Sequence, residues 1–251
     1  MSSADHAKNL ASVMRTLKNK YRIEEPPAAR SDPMEEFVFS YLLWESNTSR
    51  AENALKRIVD SVVDFNELRV CRPYEIATMM GKTYPRVDER AQRLKASIQD
   101  IYQREYEVSL TKAMGMNKRD GRAYIDSLEG IPEFVAARVA LMVLGAHAIP
   151  VDEQLLALLI EHEIVEAGDD LKKAGGILER HIKSADGPLA HALLQAWSDD
   201  KGAAAAARLA ASNVRPVAAA SDTKRGSATG TPSPERTRGR TSSKSRPAAR
   251  K

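Results

Sequence analysis

The chain has 251 residues, 5% of them aromatic and 29% charged, with a formal net charge of +4 and one cysteine, Cys71. That length supplies ample material for a real core. A single cysteine excludes an intramolecular disulfide and any cysteine-held zinc or iron–sulfur site, so Cys71 reads as a small buried side chain in a reducing compartment.

No apolar run is long enough to span a bilayer, since the best candidate, residues 135–151, is interrupted by Arg138 and His147. The first twenty residues lack the apolar core of a secretion signal. An intracellular protein, cytoplasmic or nucleoid-associated, monomeric and without membrane attachment, is expected. The net charge hides an asymmetry. From Arg215 onward ten basic residues face only Asp222 and Glu235, a net of +8, which leaves −4 on residues 1–214. Phosphate affinity rests largely on Lys and Arg, so the tail is the expected polyanion binder.

Scarce aromatics and abundant Ala, Leu, Arg and Glu favour helices, and no segment alternates with period two. Residues 34–44 are dense in apolar side chains and predict a core helix that includes Trp44. Residues 50–63 place Ala54, Leu55, Ile58 and Val62 on one side. Pro85 opens an amphipathic helix whose inward positions are Val87, Ala91, Leu94, Ile98, Ile101 and Tyr102. Its other face, Arg86, Glu89, Arg90, Arg93 and Lys95, is expected to be solvated, or to meet phosphate. Asn117 caps a short helix, the turn Leu128-Glu129-Gly130-Ile131-Pro132 follows, and a small-residue helix then buries Val135, Val139, Met142 and Val143. Gly145 and Pro150 end it. Helices over 153–166, 170–183 and 189–209 complete an all-α body, residues 1–212. Residues 213–251 are Ser, Thr, Pro, Gly and Arg-rich and predict a disordered basic tail.

The order helix, Leu-x-Gly-Ile hairpin, small-residue helix, loop, Val-Asp, helix resembles the helix-hairpin-helix DNA glycosylase superfamily, endonuclease III in particular. The matching segments are Leu128 to Pro132, within a hairpin unit at about 118–145, and Ile149-Pro150-Val151-Asp152. The likeness extends more weakly over residues 33–166. It implies a two-lobed all-α fold, a DNA-facing cleft between the lobes, base flipping into that cleft, and Asp152 as the essential carboxylate. It also implies that Gly130, Ile131 and Glu133 touch DNA at the hairpin and that Ser46 or Asn47, in the loop 44–48, fills the hole left by a flipped base. Arg236, Arg238 and Arg240 in the tail are further expected DNA contacts. The implied partner is double-stranded DNA with a damaged or mismatched base.

Physical reasons stand beside each of these. A glycine corner before a helix N-terminus turns backbone N–H groups toward one phosphate, without reading sequence. A carboxylate can stabilise positive charge on the deoxyribose as the base departs and orient the incoming water. The departures from the family pattern matter equally. The lysine that attacks the sugar in strand-cleaving members corresponds to Phe134, and residues 121–171 contain no lysine, so lysine-dependent strand cleavage is not expected. Pro132 removes an N–H donor, and Glu129 and Glu45 put negative charge near the expected DNA. No metal site is expected, and the family's four-cysteine iron–sulfur module is absent. His162 and Glu166 read as a surface feature, and His147 carries no assigned role.

Two readings of Asp152 stay open. It is an N-cap for the helix that follows, or a cap that is also a catalytic carboxylate. The chain is accordingly expected to be a glycosylase-like repair enzyme, a non-catalytic DNA-binding module with the same fold, or a protein-interaction adaptor.

Overall fold

The computed structural model describes residues 3–213. The expected disordered tail beyond them, with Arg236, Arg238 and Arg240, lies outside the described residues. Within them regular structure is entirely helical, with no strand. The elements are α1 (Ser3–Tyr21), α2 (Pro33–Leu43), α3 (Thr48–Val59), α4 (Phe65–Val70), α5 (Pro73–Met80), α6 (Val87–Glu105) and α7 (Thr111–Gly115), then α8 (Lys118–Asp126), α9 (Glu133–Met142), α10 (Glu153–Glu161), α11 (Leu171–His181), α12 (Gly187–Trp197) and α13 (Ala203–Asn213).

Local chemistry starts many of these helices in the same way. Asp32, Asn47, Asp64, Asn117, Asp152 and Asp170 each sit at an N-cap in extended backbone and accept a backbone N–H from the first turn. Each satisfies a donor that the helix cannot, worth about 1 kcal/mol per cap.

Two apolar cores form two lobes. The first gathers α2 to α9 around Phe37, Tyr41, Leu42, Ile58, Leu94, Ile98 and Val135. The second joins α1 to α10–α13 around Leu10, Leu17, Leu155, Leu159, Leu178, Leu194 and Trp197. The chain therefore begins in the second lobe, builds the first, and returns through the loop after α9. A small cluster of Ala140, Leu141, Ala146 and Ala148 lines that return.

Several sequence expectations need correction. The helix expected over 50–63 stops at Val59, and Val63 is 93% exposed. The helix expected from Pro85 begins at Val87, because Arg86 turns left-handed at φ +51°. Arg90, placed on the solvated face, is fully buried. Its guanidinium donates to the carbonyls of Tyr41, Trp44 and Pro85, so a cation occupies the carbonyl end of α2. Burial lowers its pKa to about 10, which leaves it charged at neutral pH.

The helix expected over 153–166 ends at Glu161, so His162 and Glu166 do not share a helix. His162 instead sets its ring edge-on to Trp197 at 5.0 Å. The helix expected over 189–209 contains a π-helical stretch, Ser198–Gly202. A Cβ on Gly202 would come within 2.6 Å of Ser198 Oγ and 2.9 Å of Gln154 Cβ, so glycine is what lets the stretch pack against α10.

Candidate active site

The hairpin is built as the sequence suggests. α8 runs into a turn at Ser127, Gly130 adopts φ +72°, and α9 starts immediately after Pro132. The positive φ is the reason for glycine here. The turn rests on α6. Ser97 Oγ donates to Glu129 O at 2.6 Å, Arg93 Nη1 donates to Gly130 O at 3.3 Å, and the Glu129 N–H donates to Asp100 at 2.8 Å. The Ile131 N–H is taken by Leu128 O at 3.3 Å.

These bonds decide which amides remain for an anion. Glu129 and Ile131 are occupied and Pro132 has none, while the N–H groups of Gly130 and of Glu133, in the first turn of α9, have no partner among the described residues. Ile131 can therefore offer an apolar side chain but no amide. The exposed carboxylates of Glu129 and Glu133 flank the same corner. A cleft of about 390 Å³ lies beside it, between α9 and α11, lined by residues such as Ile131, Glu133, Ala137 and Lys172.

Asp152 differs from the other five capping residues. It is the one that is buried, at 2% exposure. Oδ1 accepts the Leu155 N–H at 2.9 Å, which is the cap. Oδ2 accepts the Glu45 N–H at 2.9 Å, across 107 positions of sequence. Burial raises its pKa above the ordinary value, against the opposing effect of these backbone donors. The carboxylate thus sits where the first lobe's α2–α3 loop meets the second lobe's α10.

That loop is held at both ends by second-lobe carboxylates. Glu45 is fixed by Asp152, and the Thr48 N–H donates to Asp199 at 3.2 Å. Between them Ser46 is buried at 5% exposure, and Asn47 is occupied as the cap of α3, accepting from Arg50 N at 2.8 Å. Glu45 takes left-handed backbone at φ +49°, and its carboxylate pairs with Arg86. Burial raises the Glu45 pKa, with Arg86 opposing the rise and Asp152 and Glu153 adding to it. Trp44, a core residue as expected, carries Arg86, Arg90 and Arg93 around its ring at 4.6, 5.3 and 5.5 Å.

Phe134 is buried at 2% and meets the His191 ring edge-on, with centroids 6.4 Å apart. Behind them Arg138 of α9 pairs with Glu36 of α2 and donates to Ser40 Oγ at 2.7 Å. Both charged partners are almost wholly buried. Sequence reasoning did not bring these groups together. The signal was present in principle: Arg138 interrupts an inward apolar run, and Glu36 stands in an equally apolar helix.

Cys71 lies half-buried at the end of α4, with its thiol pKa raised by burial. An iron–sulfur cluster takes four thiolates, and this residue set does not fit one.

No protein-family model and no curated protein matches the sequence. Solved structures do resemble the fold. A trapped endonuclease III–DNA covalent intermediate aligns with a TM-score of 0.59 at 13% identity, covering 78% of this chain and 85% of that one. The Clostridium acetobutylicum 8-oxoguanine glycosylase/lyase, in complex with double-stranded DNA containing cytosine opposite 8-oxoguanine, aligns at 0.59 and 16% identity, covering 80% and 71%. A thermostable thymine-DNA glycosylase aligns at 0.54 and 18% identity, covering 79% and 88%. The two-core arrangement, the hairpin and the capping Asp152 therefore stand in a chain with the all-α fold of the helix-hairpin-helix DNA glycosylase superfamily.

Proposed function

We propose that the protein is a DNA base-excision glycosylase that works without a lysine nucleophile. The hairpin amides of Gly130 and Glu133 hold a phosphate of duplex DNA. A damaged or mismatched base turns out of the stack. Water then adds to the sugar carbon as the N-glycosidic bond breaks, the base leaving with the electron pair and taking a proton. Asp152 stabilises the positive charge on the sugar and orients the water. The observation that carries this reading is the position of Asp152, the one buried residue among the described side-chain N-caps, following the hairpin and set at the meeting of the two lobes. Duplex DNA is the proposed partner, and the tail, at net +8, adds salt-sensitive attraction.

One observation favours a second reading, a non-catalytic DNA-binding module. Both oxygens of Asp152 are already taken by backbone donors, and Phe134 is buried against His191. A panel of duplexes carrying different lesions, read for free base, decides between the two. Release from any one of them supports the enzyme, whereas binding without release across the panel supports the module.

A further inference from the structure

The loop residue Glu45 is tied in two directions at once. Its backbone N–H is held by Asp152 Oδ2 at 2.9 Å, and its carboxylate is held by Arg86. We propose that Arg86 is a DNA-phosphate contact, and that engaging it draws Glu45 off Asp152 and frees that oxygen for the reaction. The proposal rests on the reading of Asp152 given above and supplies the step by which an occupied carboxylate becomes available.

Arg86 is placed for such a contact. It precedes α6, its side chain is 38% exposed, and its guanidinium stacks on Trp44 at 4.6 Å. Its Nε also pairs with Glu89 at 2.8 Å, and Glu89 in turn pairs with Arg93 at 2.9 Å. Arg93 reaches the hairpin at Gly130 O. Seven residues separate Arg86 from Arg93, about 10 Å along a helix, so Arg86 and the hairpin amides address different phosphates on one edge of the protein. The guanidinium of Arg86 is divided between single contacts to Glu45 and Glu89, whereas a phosphate can accept two of its N–H groups at once.

The electrostatics give the exchange a direction. Arg86 is the cation holding the Glu45 carboxylate among the carboxylates of Asp152 and Glu153. Once a phosphate takes Arg86, that counterweight to the repulsion is lost, and Arg90, whose charge also acts on Glu45 and Asp152, is the cation that remains beside them. Both Glu45 and Arg86 hold left-handed backbone, at φ +49° and +51°, a conformation that a residue with a Cβ adopts at a cost and leaves readily when its tie is cut. The Thr48 anchor on Asp199 is separate, so the movement is confined to the segment ahead of it.

Coupling between two contacts is reciprocal. Whatever loosens Glu45 must therefore improve the hold of Arg86 on DNA. The test is a set of binding measurements on the full-length protein with undamaged duplex at fixed salt, read by fluorescence anisotropy, with thermal melts to show that each variant is folded. Glu45→Gln weakens the tie from one side, and Asp152→Asn opposes an amide donor to the Glu45 N–H from the other. Each is expected to tighten binding about two- to fivefold, the scale of a partly exposed ion pair. Arg86→Gln is expected to weaken binding, and in its background neither of the other substitutions should have an effect. A general loss of negative charge would tighten binding equally in both backgrounds, and that result, or unchanged affinity for Glu45→Gln, overturns the proposal. Base release is read separately, so coupled binding without release would count against the reaction and not against the phosphate contact.

Discussion

Phe134 and His191 face each other edge-on across the two lobes, with ring centroids 6.4 Å apart and both side chains buried. By the resemblance drawn from the sequence, Phe134 takes the place of the lysine that strand-cleaving members of the glycosylase superfamily use. A buried aromatic ring cannot form a Schiff base, and no lysine occurs from residue 121 to residue 171. Borohydride treatment with abasic DNA should therefore trap no covalent adduct at this site. An adduct mapped by mass spectrometry to a lysine lining the cleft, such as Lys172, would overturn the assignment.

His191 also predicts a pH dependence of stability. Burial, with the nearby Arg138 charge second, depresses its pKa from 6.5 to about 3. The unfolded chain therefore binds a proton below pH 6.5 that the folded chain refuses. Stability falls as pH drops from 6.5 toward 3, at about 1.4 kcal/mol per pH unit from this group. Denaturant unfolding at stepped pH should show that slope, and His191→Gln should flatten it. An unchanged slope in the variant would assign acid sensitivity to other groups.

The Arg138–Glu36 pair ties the hairpin helix α9 to α2 with almost no solvent access. Removing one partner leaves an uncompensated buried charge, typically a loss of 3–5 kcal/mol. Arg138→Met should therefore destabilise strongly, and Arg138→Met combined with Glu36→Leu should recover part of the loss. A single variant that melts like the wild type would show that the pair contributes little.

Asp152→Asn separates the capping role from the proposed catalytic one. The amide oxygen can still cap α10, so stability at neutral pH should change by no more than about 1 kcal/mol. Because burial raises the Asp152 pKa, the folded protein holds that proton more tightly than the unfolded chain. Stability contributed by this group then declines as pH rises from the ordinary carboxylate value through the folded one, and the Asn variant lacks that decline. Base release, measured on the lesion that the panel identifies, should fall about a hundredfold or more. Equal release by both proteins would make Asp152 structural only.

Deleting residues 215–251 removes a net +8. Affinity for undamaged duplex should fall and its dependence on salt should flatten, with the melting profile of the remaining chain unchanged. An unaltered salt slope would place the DNA contacts wholly in the body.

Much of the fold was legible because it is local. Helical spacing of apolar residues, Asx caps and a glycine-proline corner act within a few residues, and they locate α2, α6, the hairpin and α10 directly from the sequence. Such signals weaken where an element is short or little buried. The helix α1 is harder to read because only Leu10 and Leu17 are buried in it, with Val13 and Met14 partly so, and its place in the second lobe depends on partners more than a hundred residues away. Arg90 was misplaced for a related reason. Its burial is compensated by the carbonyls of Tyr41, Trp44 and Pro85, and a residue's own helix pattern cannot announce acceptors on another segment.

The sequence by itself marked Asp152 as a helix cap from its neighbours, and the resemblance to the glycosylase superfamily offered it as a candidate carboxylate. Only the tertiary structure decided that its second oxygen is held by Glu45, that Glu45 is held by Arg86, and that Phe134 is sealed against His191. Those contacts join residues 41 to 107 positions apart, where the packing of two lobes, rather than any local pattern, brings the groups together.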